Sequence, residues 1–352
     1  MIVLGIETSC DETSAAVLNR DAPDASPVIL SNIVATQIAM HVEYGGVVPE
    51  LAARAHVESI SAVIEKAVRD SGVQWAAIDG IAVANRPGLI GALLVGVSAA
   101  KALALALNRP LVGVDHIEAH LYSSILAGMP RQPHIALVCS GGHTSLYSVQ
   151  LNDRQSATDM AVSLLGSTTD DAAGEAFDKV ARILGLSYPG GPSIQKAAVG
   201  GDPAAYRFPR SRLNESNDDF SFSGLKTAVL YGLRGGQGRP GPAAQMGVGR
   251  ELTDEEIRNA AASFQEAVAE TLVKKTLRAA KRLGVSAASF NGGVAANKRI
   301  RELANELGAA DGVQTYFPPL SLCTDNAAMI AGLGMEHLSA GRRDGLSLEA
   351  AP

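Results

Sequence analysis

The sequence predicts an α/β protein made of two duplicated lobes. Three observations carry that expectation. Apolar, strand-like runs alternate with helix-patterned stretches along most of the 352 residues, the order produced by crossover units on a sheet covered on both faces. That order starts a second time near residue 135. Hydrophobic residues make up 47% of the chain but aromatics only 4%, with 36 glycines, as in aliphatic cores where helices sit close on sheets.

Ile2–Glu7 reads as a first buried strand, followed by a polar turn and the apolar runs Thr13–Leu18 and Val28–Ala35. His41–Pro49, rich in His, Gly and Pro, is a loop leading into a helix pattern over Glu50–Asp70. Strand Gly80–Ala84, the turn Asn85-Arg86-Pro87-Gly88, a helix to Leu107, strand Leu111–Val114 and a helix from about His116 complete the first lobe. The second begins with Ile135–Cys139, Ser140-Gly141-Gly142-His143 and Thr144–Val149. Laid over the N-terminus, Thr144-Ser145 falls on Thr13-Ser14. Thr253-Asp254-Glu255-Glu256 is a capping box opening a long helix to about Arg282. Strand Ala287–Phe290, the turn Asn291-Gly292-Gly293-Val294, a helix and strand Val313–Tyr316 echo the rest of the first lobe. Arg234–Arg250 is Gly/Pro-rich and predicts a mobile surface loop. The expected lobes are 1–131, with 324–352 returning to it, and 132–323, including the insertion 234–250. Their turns are expected to face each other across a shared cleft.

No apolar run reaches the roughly 18 residues of a membrane span on this reading. The longest, Leu89–Leu107, carries Gly91, Gly96, Ser98 and Lys101. MIVLGIETSCDETS has no basic leader, and Cys10, Cys139 and Cys323 are too dispersed for a disulfide framework, so a cytoplasmic protein is expected. Net charge is −6, which argues against nucleic acid as a partner. Yet residues 201–301 hold 16 Lys/Arg against 10 Asp/Glu, enough for a polyanion to dock locally, or simply a basic solvated face.

His116-Ile117-Glu118-Ala119-His120 puts two imidazoles on one helix face, close enough to share a metal. The same spacing also describes two surface histidines. A zinc-peptidase motif needs H-E-x-x-H, and Glu118 lies about 200° round the helix from His116. Asp325 could add a carboxylate, or it or Thr324 could cap the following helix. Two histidines and an aspartate with open positions suit Zn²⁺ or Fe²⁺. Ser140-Gly141-Gly142-His143, Asn291-Gly292-Gly293-Val294 and Tyr188-Pro189-Gly190-Gly191-Pro192 are candidate anion-binding turns. Asp170 and Asp171 favour the start of an Ala-rich helix, while Asp178 within it could grip a sugar hydroxyl. Asp11 and Glu12 could position a phosphate-bound ion or a substrate amine.

Taken together, GIETSCDETS, HVEYGGVVPELAARAH, NRPGLIGALLVG, DHIEAH, SGGHT, DDAAGEAFDKVARILGLSYPGGP, FSFSGLKTA, NGGVAAN and CTDNAAMIA closely resemble the tRNA N6-adenosine threonylcarbamoyltransferases, once labelled O-sialoglycoprotein endopeptidases. The resemblance runs almost end to end. It implies the actin-like, sugar-kinase and Hsp70 ATPase fold, two lobes around a central nucleotide cleft. It implies transfer of threonylcarbamoyl from threonylcarbamoyl-AMP to N6 of the adenosine next to the anticodon. It implies a metal ion on His116, His120 and Asp325, and donor binding by Cys139, Ser140, Gly141, Gly142, His143, Asp178, Gly191 and Asn291. Asp11 and Glu12 would line the reacting end, and Arg207, Arg210, Arg212 and Lys226 are candidate tRNA contacts. At Gln195 some members carry an acid, so a donor contact there is open. Implied partners are tRNA, a degenerate paralogue in a heterodimer, a small P-loop ATPase and a separate threonylcarbamoyl-AMP synthase, with no membrane. The rival reading is an O-carbamoyltransferase of the same fold acting on a small acceptor.

Overall fold

The computed structural model describes residues 1–22, 25–44, 46–151, 160–213, 215–233 and 252–352; the expected loop at 234–250 lies outside them. The chain packs as two compact units, Met1–Arg131 with Leu151–Ala161 and Pro318–Pro352, and Gln132–Gln150 with Val162–Phe317.

In the first unit β1 (Ile2–Glu7), β2 (Glu12–Asn19) and β3 (Val28–Thr36) form an antiparallel meander. The short α1 (Ile38–His41) precedes α2 (Pro49–Ser71), which begins on a proline whose missing N–H costs nothing in a first turn and ends at Gly72 with φ 72°. β4 (Gly80–Arg86), α3 (Ile90–Leu107), β5 (Leu111–Asp115) and α4 (His116–Leu126) follow. β4 lies parallel to β1, and β5 to β4, so the order is β3-β2-β1-β4-β5. Strand alternation splits the core in two. Leu4, Ile6, Val17 and Val83 meet α2 and α3, while Val3, Ala16 and Ala82 face the opposite side of the sheet with α4. One expectation is corrected here: α3 has 18 residues and a mean hydropathy of 2.1, the length and composition of a membrane span. Its Val97, Ala100 and Ala104 are buried in the core beside α2, the position of a core helix in an α/β layer.

The second unit holds β6 (His134–Cys139), β7 (Thr144–Leu151), β8 (Met160–Ser167), α5 (Ala173–Ile183), α6 (Gly190–Ala197), α7 (Ser223–Leu233), α8 (Asp254–Leu283), β9 (Ala287–Asn291), α9 (Lys298–Asp311) and β10 (Gln314–Tyr316). Its order is β10-β9-β6-β7-β8, the first sheet's order repeated strand for strand. The duplication is therefore one of topology, two copies of the actin-like and Hsp70 ATPase lobe. The few aromatics concentrate here: Phe177, Phe220, Phe222, Phe264 and Phe290 share one core. The Thr253–Glu256 capping box opens α8 as expected. Two local expectations change. A single 3-10 turn, Gly293–Ala296, separates β9 from α9, whose cap is Asn297. Asp170 does not serve its own helix; it accepts the Phe222 and Ser223 amides at 2.8 and 3.2 Å, holding the start of α7.

The chain then returns to the first unit as α10 (Leu320–Cys323) and α11 (Ala327–Ser339). α11 crosses β1 so closely that a Cβ on Gly5 would stand 2.5 Å from the Ala327 carbonyl, so only glycine fits. Ser14 Oγ accepts the Ala327 amide at 2.8 Å, fastening the first residue of α11 to β2.

Candidate active site

Three donor groups converge in the first unit. His116 and His120 stand at the start of α4, capped by Asp115, whose carboxylate accepts the Ile117 and Glu118 amides. Asp325 precedes α11, and its neighbour Asn326 does the capping, accepting the Ala328 and Met329 amides. Asp325 is thereby free of the cap role that its position suggested. Its Oδ1 lies 3.0 Å from His120 Nε2 and 3.6 Å from His116 Nε2. Ligands bound at about 2.0–2.2 Å around a tetrahedral ion sit roughly 3.3–3.6 Å apart, close to these separations. Glu118 is no member of the cluster.

Behind the cluster is a residue that sequence pattern alone did not single out. Glu7, fully buried at the end of β1, meets His116 Nδ1 at 2.9 Å; Ser9 Oγ lies 3.1 Å from the same nitrogen. That is the carboxylate–histidine arrangement which fixes tautomer and ring direction in metal sites. Burial pulls the His116 pKa down, but the Glu7 and Asp325 carboxylates outweigh it and hold it at about 9. A site this rich in negative charge favours a cation over an empty pocket. His120 Nδ1 is buried with no hydrogen-bond partner among the described residues, while its Nε2 faces Asp325 Oδ1. The residues present fit a divalent ion. A signal for Glu7 does exist in the sequence: β1 is apolar throughout and closes on an acid.

Asp11 closes the turn after β1 and Glu12 opens β2, close enough to share a hydrogen bond. Burial, Asp325 and Asp11 push the Glu12 carboxyl well above the usual carboxylate range. Burial and the charge of Asp11 likewise raise the Cys10 thiol.

In the second unit the glycine turns divide into two kinds. A Cβ on Gly174 would stand 2.5 Å from Ser140 O, on Gly190 2.4 Å from Phe177 O, and on Gly292 2.4 Å from Cys139 O. Packing alone explains those three. A Cβ on Gly141, Gly142 or Gly191 would meet nothing within 4 Å, so the fold itself does not demand glycine there. Ser140 closes the first turn, its amide bonded to His143 O and its Oγ accepting the His143 amide. Asp178 is half-buried and accepts the Gly190 amide at 2.7 Å. Cys139 and Asn291 are fully buried. The Cys139 thiol lies in the core, and the Asn291 amide reaches Leu137 O and Ser289 Oγ, tying β9 to β6. Gln195 Oε1 accepts the Lys298 amide at 2.7 Å, a bond that starts α9.

The basic excess of residues 201–301 is largely spent inside the unit. Arg210 pairs with Glu270, Arg299 with Glu266 and Arg282 with Asp218. Arg278 and Lys275 grip the backbone carbonyls of 213–219, and Arg212 pairs with Glu215 at 3.8 Å. Of the four expected tRNA contacts, Arg207 and Lys226 are exposed and have no partner among the described residues.

A family profile described as tRNA N6-adenosine threonylcarbamoyltransferase matches residues 28–332. The chain belongs to that family. The tRNA N6-adenosine threonylcarbamoyltransferase of Syntrophotalea carbinolica is 47% identical over 350 residues, 99% of this chain and 95% of the relative. That of Anaeromyxobacter dehalogenans strain 2CP-C is 49% identical over 353 residues, 99% and 98% of the two chains. Among solved structures, T. kodakarensis HypF superposes with a TM-score of 0.59 at 14% identity, over 96% of this chain and 48% of that one, a likeness of fold. Against this threonylcarbamoyltransferase family, the peptidase reading already weakened by the position of Glu118 has no support.

Proposed function

We propose that this chain transfers the threonylcarbamoyl group of threonylcarbamoyl-AMP to N6 of adenosine 37, beside the anticodon, in tRNAs reading codons that begin with A, with one divalent ion, Fe²⁺ or Zn²⁺, on His116, His120 and Asp325. The observation that carries the reading is the complete donor set with Glu7 behind it, in a chain alike its relatives from end to end. A degenerate, non-catalytic paralogue has no use for such a set.

When bound, the ion supplies a Lewis acid for the carbamoyl carbonyl. Glu7 keeps the His116 proton on Nδ1 and leaves the Nε2 lone pair for coordination. Glu12 and its partner Asp11 handle the reacting end of the donor. The open turn at Ser140–His143, Gly191 and Asp178 hold the adenylate; Cys139 and Asn291 serve through the strand ends they stabilise. The step forms the N6–carbon bond and breaks the carbon–oxygen bond to AMP, which departs with the electron pair while N6 gives up a proton. AMP leaves readily, so the main task is to position a weak amine.

tRNA, a degenerate paralogue, a small P-loop ATPase, a separate synthase and a cytoplasmic location belong to the same reading. The outward stripe Ile90, Leu94 and Leu105 of α3, 46%, 51% and 69% exposed, supports a protein partner. Exposed Arg207 and Lys226 are assigned to tRNA. The test supplies labelled threonine, bicarbonate, ATP, synthase, partners and tRNA. Label in tRNA with the wild type and none with His116→Ala, whose metal content also falls, is the expected result. No label with a verified partner set overturns the reading, and label on a small hydroxyl or thiol acceptor instead would favour an O-carbamoyltransferase.

A further inference from the structure

Three consecutive carbonyls in the turn between β1 and β2 are held from three different elements. The Leu89 amide donates to Ser9 O at 2.8 Å and the Gln37 amide to Asp11 O at 3.0 Å. Between them, His56 Nε2 donates to Cys10 O at 3.0 Å. The outer two donors are backbone groups that almost any residue supplies. His56, on α2, is the only side chain of the three.

A carbonyl only accepts, so Nε2 carries the proton and Nδ1 is an acceptor. Nδ1 takes the Thr13 hydroxyl at 2.7 Å and the Gln37 side-chain amide at 3.3 Å. Gln37 Oε1 in turn lies 3.3 Å from Nε2 of the buried His41. The His56 ring is fully buried, and burial lowers its pKa, which keeps this neutral tautomer. Among the described residues its bonds run only to Cys10, Thr13 and Gln37, none to a metal ligand. The peptide plane bearing Cys10 O also carries the Asp11 amide. If that oxygen loses its one donor among the described residues, the plane rotates to find water, and Asp11 and Glu12 move with it.

We propose that His56 is a positioning residue that aims Asp11 and Glu12 by fixing the Cys10 carbonyl, setting the rate of transfer without touching the metal ligands. This rests on the transfer activity proposed above. Cys10 gives a readout independent of that activity, because its thiol is half-buried while those of Cys139 and Cys323 are buried. The experiment compares wild type, His56→Leu and His56→Gln for kcat, KM for threonylcarbamoyl-AMP, bound metal and the rate at which iodoacetamide alkylates each cysteine. Leucine fills the space without a donor, and the glutamine amide places one near the position of Nε2. For His56→Leu the expected result is a kcat at least tenfold lower, unchanged KM and metal content, and Cys10 alkylation at least fivefold faster with Cys139 and Cys323 still protected. His56→Gln should return both rates toward wild type. A folded His56→Leu that alkylates at the wild-type rate overturns the proposal, as does a kcat within twofold of wild type. If His56→Leu does not fold, His56→Asn, whose amide is too short to reach Cys10 O, is judged by the same criteria. If no transfer is seen even with wild type, the alkylation rates still decide the role of His56, so its failure is distinguishable from failure of the functional reading.

Discussion

The two strand–turn–strand openings occupy the same place in their sheets and are built in opposite ways. Glu7 pairs with Ser14 across the first, and Cys139 with Thr144 across the second. Turn 8–13 is packed and acidic. Its carbonyls are anchored by three elements, and a Cβ on Gly88 or Gly96 would strike Ser9 O or Thr8 Oγ1 at 2.6 and 2.4 Å. Turn 140–143 is small, and Gly141 and Gly142 are exposed with free space above them. One repeat has used the position to hold acids rigidly beside histidines; the other has kept its backbone amides approachable. Duplication supplies equivalent positions, and the side chains then decide whether each is a packed acidic support or an open glycine turn.

The largest effect is expected where the open turn rests on its floor. Gly292 has φ 89° and ψ 164°, a region essentially reserved for glycine and costing other residues about 1–3 kcal/mol. A Cβ there would also press on the Cys139 carbonyl at the end of β6, adding overpacking of roughly 1–3 kcal/mol. Gly292→Ala should therefore lose about 2–6 kcal/mol in urea unfolding. A loss under about 1 kcal/mol would show that the floor is softer than described.

On the acidic side, Glu7→Gln keeps shape and hydrogen bonding but removes the charge facing His116 Nδ1. Loss of such a supporting carboxylate costs about 10- to 100-fold in metal affinity. Calorimetric titration of the metal-free protein with Zn²⁺ checks this. Unchanged affinity would mean that Glu7 only fills space.

Local pattern made most of the fold readable. Aliphatic runs closed by polar turns marked β1 to β7, and Thr253 with Glu256 marked the head of α8, because both signals lie within a few residues. The two histidines on α4 were readable as candidate ligands for the same reason, while Asp325 as the third needed the family resemblance. What stayed hidden depends on partners distant in sequence. Glu7 joins the His116–His120–Asp325 cluster only when α4, 109 residues later, brings His116 to it. His56 lies 46 residues from Cys10. Arg210, a candidate for tRNA on charge alone, finds Glu270 60 residues on. Asp170, apparently placed for its own helix, caps another 52 residues away. Spacing rules see neighbours along the chain, and these contacts are made by the sheet order.

The smallest change in stability is expected at Gly142, and it is the most telling. Its φ is not positive, and a Cβ at this position would have no atom within 4 Å, so alanine fits without strain. Such a replacement reduces the freedom of the unfolded chain and stabilises by about 0.4–1 kcal/mol. If the glycine exists to let an adenylate phosphate approach the backbone, the added methyl occupies that approach. Gly142→Ala should then melt at or above the wild-type temperature while binding AMP several-fold more weakly. Lower stability would mean that packing, not ligand access, keeps glycine at this position, and undiminished AMP binding would remove the turn from the donor site. A gain in stability joined to a loss in binding would mark residue 142 as a place where fold and function make opposite demands, which the tightly packed turn 8–13 gives no room to express.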